Sequence, residues 1–340
     1  MPKTDSPQKM FNHLKCMTLK GVLKMTKIDF HSHYLTPGFV DYLDRAFDGH
    51  GDGVATPKWS VDSALEMMAK EQIDYSLLSI SSPQISTPDK QETVELAQEV
   101  DEFGRDFHRN YPDKLGFMAS LPMPYISESV TTVDTALDDD QATGFIMETN
   151  SLGMYLGDPE MDPIMDRLNK RHALVCIHPT EPKPINTTAN AKTATPLMEF
   201  FFDTTRAVSN MAEHQIFSRY PNIQWIIPHA GALLPIIAQR ISEGSKALGL
   251  EVPRDDLMTV LNHSYFDIAG MVLPYQLPTL LKIADPSKLL YGADFPYTPL
   301  PAVHMLAEKF EKTKLVAPAL KQNILFNNGQ KLLSQYGIQL

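Results

Sequence analysis

The sequence predicts an α/β fold: a (β/α)8 TIM barrel with a small excursion after its first strand and helices closing its C-terminus. Three observations predict it. Strand-like runs of four to eight residues recur eight times along the chain. Amphipathic stretches of helical length lie between them, and strict alternation of this kind demands parallel strands. No strand is followed by the GxGxxG turn of an open dinucleotide-binding sheet, so eight repeats in about 300 residues favour closure into a barrel.

The first run is KIDFHSH (27–33). Alternate side chains of a strand share a face, so Asp29, His31 and His33 point one way and Ile28 and Phe30 the other. Residues 35–59, rich in Gly, Asp and aromatic residues, are long for a connection and predict an excursion over the barrel mouth. SVDSALEMMAKEQ (60–72) has one apolar stripe and leads into DYSLLSI (74–80). ETVELAQEVDEFGRDFHRNY (92–111) precedes KLGFMAS (114–120), which is followed by TGFIMET (143–149). DPIMDRLNKRH (162–172) precedes ALVCIHP (173–179), and PLMEFFFDTTRAVSNMAEHQIFSRY (196–220) precedes IQWIIPH (223–229). SYFDIAG (264–270) and LLYGAD (289–294) complete the set, and only helical segments follow Asp294. Residues 1–24 are lysine-rich and precede Met25 and the first strand; they read as a dispensable extension, leaving 25–340 as one barrel domain.

Composition narrows the partners. Thirty basic against forty-one acidic residues give a net charge of -11, with no basic stripe to track phosphates, which argues against nucleic acid. Two cysteines, Cys16 and Cys176, are too few for a disulfide framework, and a reducing, cytoplasmic setting is expected. No apolar run approaches the roughly 18 residues a membrane span needs.

Catalytic groups of such barrels come from the C-terminal ends of several strands. The predicted ends carry His31 and His33 (strand one), Glu148 (strand four), His178 (strand five), His229 (strand six) and Asp294 (strand eight). A lone histidine ending a strand is usually a packed side chain, but imidazoles and carboxylates at so many matching ends converge on one rim. Imidazole nitrogen and carboxylate oxygen suit a borderline divalent cation and leave room for a substrate. His13, His50, His108, His172, His214, His263 and His304 fall on helices, loops or the extension and read as structural. Arg206 offers a planar fork for a substrate carboxylate, with a salt bridge to Asp203 as the plainer reading. Trp59 offers a cover for an aromatic ring, with packing of the excursion as the plain alternative.

HSH after strand one, CIHPT after strand five, IIPHAG after strand six and YGADFPY after strand eight resemble the amidohydrolase superfamily, in its amidohydrolase-2 branch related to aminocarboxymuconate semialdehyde decarboxylase. The segments around KWSVDSALEMM, ETNSLGMYLGDPEMDP and FFDTTRAV are similar to the 6-methylsalicylate decarboxylase subgroup. The resemblance implies His31, His33, His178 and Asp294 as ligands of one metal ion, zinc with manganese as the alternative, and His229 and Asp294 as catalytic acid or base. Relatives with two metals carry a carboxylated lysine at the end of strand four. Glu148 stands there instead; a glutamate can also bridge two ions, but a single ion is the favoured reading, with Glu148 orienting a ligand or meeting substrate and a purely structural role as the alternative. The implied activity is decarboxylation of an aromatic, hydroxybenzoate-like or unsaturated carboxylic acid, with lactone or amide hydrolysis as the alternative. The implied assembly is a homodimer.

Overall fold

The computed structural model describes residues 26–186, 188–190, 192–250 and 255–340. The extension expected at 1–24 lies outside them. Eight parallel strands form one sheet in sequential order: β1 (Lys27–His33), β2 (Ile73–Ser79), β3 (Leu115–Ser120), β4 (Gly144–Glu148), β5 (Leu174–His178), β6 (Gln224–Ile227), β7 (Tyr265–Asp267) and β8 (Leu289–Leu290). The barrel closes where Asp29 bridges Tyr291 in parallel and the Phe30 N–H donates to the Tyr291 carbonyl at 2.9 Å. The predicted (β/α)8 barrel is the observed fold.

The helices that position the rim are α1 (Pro37–Phe47), α2 (Val61–Glu71), α3 (Lys90–Asn110), α4 (Ile126–Asp138), α5 (Asp162–Lys170), α6 (Thr195–Glu213), α7 (Leu234–Ala247), α8 (Leu257–His263) and α9 (Leu300–Lys312). Their starts are chemically marked. Thr36 accepts from the Phe39 N–H before α1, Ser60 and Ser63 form a reciprocal box before α2, and Asp89 accepts from Gln91 and Glu92 before α3. Each such cap contributes about 1 kcal/mol. The long helix expected over 196–220 breaks at Gln215, whose φ of 61° ends α6 and lets a short turn, Ile216–Arg219, redirect the chain into β6.

Strand β1 shows the two-faced pattern its sequence demands. Ile28 and Phe30 pack outward on Gly329 of the C-terminal helix Asn328–Ser334, where an added Cβ would stand 2.6 Å from the Phe30 ring. Asp29 turns inward and accepts from Ser32 Oγ (2.5 Å), Ser76 Oγ (3.1 Å) and the N–H groups of His31 and Ala293 (both 3.0 Å). Burial pushes its carboxyl up to about 6, against the pull of those donors. At the bottom, buried Lys27 donates to the Glu71 carbonyl and pairs with Glu311, both at 2.8 Å, and so plugs the barrel opposite the rim.

Three strands are shorter than their sequence runs suggest. β6 ends at Ile227, β7 at Asp267 and β8 at Leu290. His229 and Asp294 therefore lie beyond the sheet, on turns.

Candidate metal centre and substrate cavity

His31 and His33 occupy alternate positions of β1, and His178 ends β5 in register with Glu148 of β4. The three imidazoles are buried, and one nitrogen from each lies within 4.8 Å of the others, close enough to hold a metal ion. Ring centroids are 5.1 Å apart for His31 and His33, 5.0 Å for His33 and His178 and 5.5 Å for His31 and His178. Asp294 Oδ1 closes the group, 3.4 Å from His33 Nε2 and 3.8 Å from His31 Nε2.

Each imidazole is fixed through Nδ1. His31 Nδ1 meets Asp267 Oδ2 at 2.9 Å, His33 Nδ1 meets Ser79 Oγ at 3.2 Å, and His178 Nδ1 donates to the Pro179 carbonyl at 2.7 Å. A donor at Nδ1 leaves the Nε2 lone pair free, which is how metal-binding imidazoles are oriented. Nε2 of His31 and of His33 is buried with no hydrogen-bond partner, and buried polar atoms are rarely left so. A divalent cation fits this donor set.

The electrostatics follow from burial and neighbours. Burial lowers His178 well below the ordinary imidazole value and lowers His33, with neighbouring imidazoles adding to the effect. Burial opposes charge on His31 too, but the Asp267 carboxylate outweighs it and holds His31 up at about 9. Burial works against the Asp294 charge, yet the surrounding imidazoles, His33 foremost, hold its carboxyl well below the usual range. His229 is pushed down to about 4, first by burial and then by His31.

His229 lies in the short turn His229–Gly231 at φ 53°, its ring 4.9 Å from that of His31 and stacked at 6.0 Å on Phe201. Its N–H donates to Asp267 Oδ1 at 3.0 Å, and its carbonyl accepts from Gln276. Asp294 sits at φ 59°, with Oδ2 accepting from Thr298 at 2.8 Å. Gly292 precedes it because β8 passes so close to β1 that an added Cβ would stand 2.7 Å from His31 Cβ.

Above this group opens a cavity of about 580 Å³ whose wall includes His178, His229 and Asp294. Phe200, Phe201, Leu197, Met271 and Leu306 make much of that wall apolar, and no lysine or arginine is among its described lining residues. Of the sequence-predicted residues, the structure brings together His31, His33, His178, His229 and Asp294. The other three lie elsewhere. Glu148 is buried beside a separate small cavity with Asp52 and Lys183, its Oε1 unpartnered and its carboxyl raised by burial and by Asp52. Trp59 packs on Tyr34, Phe103 and Phe107 at 6.1 to 6.4 Å, beneath the excursion. Arg206 pairs with Asp203 at 2.9 Å. Asp203 is fully buried and also accepts from Thr149 and Tyr155 (2.5 Å each) and Asn150 (3.0 Å), which ties α6 to the turns after β4.

Sequence reasoning missed Asp267, the group that orients His31 and supports His229. The signal was an aspartate closing the run SYFD at the seventh strand end. It also missed Phe200 and Phe201 as cavity walls. Three consecutive phenylalanines cannot all face one stripe of a helix, and the surplus ring had to face something other than the sheet.

The comparisons with known proteins agree with the fold. A crystal structure of an amidohydrolase II superposes with a TM-score of 0.88 at 42% identity, covering 91% of this chain and all of that one. A 6-methylsalicylic acid decarboxylase of Penicillium expansum is 28% identical over 307 residues, 88% of this chain and 93% of its own. A dihydroxybenzoic acid decarboxylase from Polaromonas, crystallised with bound manganese and an inhibitor, shares the fold with a TM-score of 0.78 at 17% identity, covering 92% and 97% of the two chains. The amidohydrolase family model matches residues 28–334, and the chain belongs to that family.

Proposed function

We propose that the protein is a metal-dependent, non-oxidative decarboxylase of aromatic carboxylic acids of the hydroxybenzoate type. One observation carries this: two buried, partnerless Nε2 atoms, of His31 and His33, converge with His178 and Asp294 at the foot of a largely apolar cavity that His178 and Asp294 line. The relatives named decarboxylases support the lyase reading over hydrolysis. His31, His33, His178 and Asp294 would hold one divalent ion. Bound there, the ion supplies Lewis-acid charge and a template for the substrate's carboxylate and neighbouring oxygen. The imidazole-rich set suits zinc, and the manganese-bound relative makes manganese the second candidate.

The chain's own groups account for the proton. Decarboxylation breaks a carbon–carbon bond, leaves the electron pair on the ring carbon and puts a proton where CO₂ was. His229 is neutral at pH 7, opens onto the cavity and has its ring plane set by Phe201, so it takes a proton from the substrate hydroxyl and returns it to that carbon, and the phenolate so left recovers a proton from water to leave as the phenol. Asp294 stays ionised among the imidazoles and serves as ligand rather than as the acid. Phe200 and Phe201 pack the ring. Glu148 and Trp59 support the rim from beneath, and Arg206 completes the Asp203 network.

A homodimer is the expected assembly. Leu197, Met271 and Tyr275, exposed near the mouth, offer it apolar surface. The free buried Cys176 fits a reducing cytoplasm, and no helix among the described residues is long and apolar enough to cross a membrane. Incubating the metal-loaded protein with a panel of hydroxybenzoates tests the activity. The expected result is CO₂ together with the matching phenol. Opening of aromatic lactones with no CO₂ from any acid would replace decarboxylation by hydrolysis.

A further inference from the structure

Asp52 lines the same cavity as His178, His229 and Asp294 but takes no part in the contacts around the imidazoles. It sits in the turn Gly51–Gly53 of the excursion after β1, in a left-handed backbone conformation with φ 51°, and is 8% exposed. Its carboxylate accepts a short hydrogen bond from Ser82 Oγ and another from the backbone N–H of Glu181. Ser82 Oγ also lies 3.0 Å from Thr180 Oγ1.

The next residue back in the chain reaches the imidazoles. Ser81 Oγ is 3.5 Å from His178 Nε2, so two consecutive residues, about 3.8 Å apart at Cα, link Asp52 to the imidazole cluster. Tyr297 lies within the influence of both carboxylates: its hydroxyl is pushed up by burial and then by Asp52 and Asp294, and its ring is 5.7 Å from that of His33. Asp52 and His178 thus face one cavity and are linked through Ser82 and Ser81.

A carboxylate has about four lone-pair sites, and two of these are taken by Ser82 and Glu181. The others are left for whatever fills the cavity. Burial raises the carboxyl to about 6, so above that pH it is ionised and can only accept. A buried, ionised carboxylate needs a donor once ligand displaces water. Lys183, whose charge also reaches Asp52, lines the small cavity on the Glu148 side and not this one.

We propose that Asp52 is the specificity-determining residue of this cavity. It accepts a hydrogen bond from a hydroxyl or amino group on the ring of the bound acid, at an edge away from the departing carboxylate. It excludes acids that carry a second carboxylate at that edge, because like charges would meet with no lysine or arginine among the described lining residues to offset them. The inference rests on reading the cavity as a site for aromatic acids.

Calorimetric binding to the metal-loaded protein tests it independently of turnover. The ligands are salicylates paired by one ring substituent, hydroxyl against methyl at positions 4 and 5, plus the matching dicarboxylates. The proteins are wild type, D52N and D52L, each checked for metal content and thermal unfolding. Wild type should prefer the hydroxyl member at one position by roughly 10- to 100-fold, the range of a hydrogen bond to a charged acceptor. D52L should bring that ratio to within about twofold, and D52N, which removes the charge at nearly constant shape, should strengthen dicarboxylate binding by about tenfold or more. Should D52L not fold, the D52N dicarboxylate result decides. An unchanged hydroxyl preference in D52L, or unchanged dicarboxylate rejection in D52N, overturns the proposal. CO₂ release on the same panel is read separately: selective binding without CO₂ from any acid would sink the decarboxylase reading and leave the role of Asp52 standing.

Discussion

The rim is built in two ways. His31, His33 and His178 stand on regular strand backbone, are at most 6% exposed, and are each held through Nδ1. His229 and Asp294 stand past the ends of β6 and β8, at φ 53° and 59°, and open onto the cavity. Left-handed backbone costs an ordinary residue roughly 1–2 kcal/mol, and the turn after β6 adopts it at Ala230 and Ala232 as well. The difference teaches a division of labour. Groups that must keep a fixed geometry are set in the sheet, where register and second hydrogen bonds leave no freedom. His229, the proposed proton carrier, and Asp294, the fourth proposed ligand, are aimed from the segments after β6 and β8, where the fold tolerates strain to point a side chain inward.

The largest effect should come from the strand side. His178→Ala removes a proposed ligand, so bound metal and turnover should fall together, turnover by about a thousandfold or more; elemental analysis alongside CO₂ release checks this, and a full metal equivalent would remove His178 from the ligand set. On the turn side, His229→Ala should keep its metal while turnover drops by roughly 10²–10⁴. An active variant would reduce His229 to a supporting role and blur the division. Asp267→Asn sharpens the contrast, because Asp267 touches both sides. Its effect on His31 should weaken metal affinity by roughly 10–100-fold, measured by competition with a chelating dye; unchanged affinity would mean that His31 needs no orienting partner. The smallest effect belongs to Gly292→Ala, whose Cβ would crowd His31, at a cost of about 1–3 kcal/mol in urea unfolding. A neutral result would show that β1 and β8 can part without harm.

Much of this was legible because it depends on short-range pattern. Strict alternation made β1 two-faced, so HSH could be placed on the inner face before any tertiary structure was known. The strand and helix succession made closure the economical outcome. His229 and Asp294 were found at the right rim through PHAG and YGAD, although the strands expected to carry them stop short and turns do so instead. Asp267 was not legible as an orienter, because its partner His31 is 236 residues away and only barrel closure brings β7 within reach. Asp52 was hidden in an excursion whose path no periodicity describes. Arg206 and Trp59 each carried a plain alternative beside the ligand reading, a salt bridge to Asp203 and packing of the excursion, and a fully buried Asp203 takes the first and an aromatic cluster the second.

The most direct measurement is an anomalous difference map from crystals of the protein loaded with one divalent metal. A single peak at about 2.0–2.2 Å from Nε2 of His31, His33 and His178 and from an Asp294 oxygen is the expected result. A peak held by other residues, or none at these atoms in crystals of protein that still releases CO₂ at full rate, would contradict it.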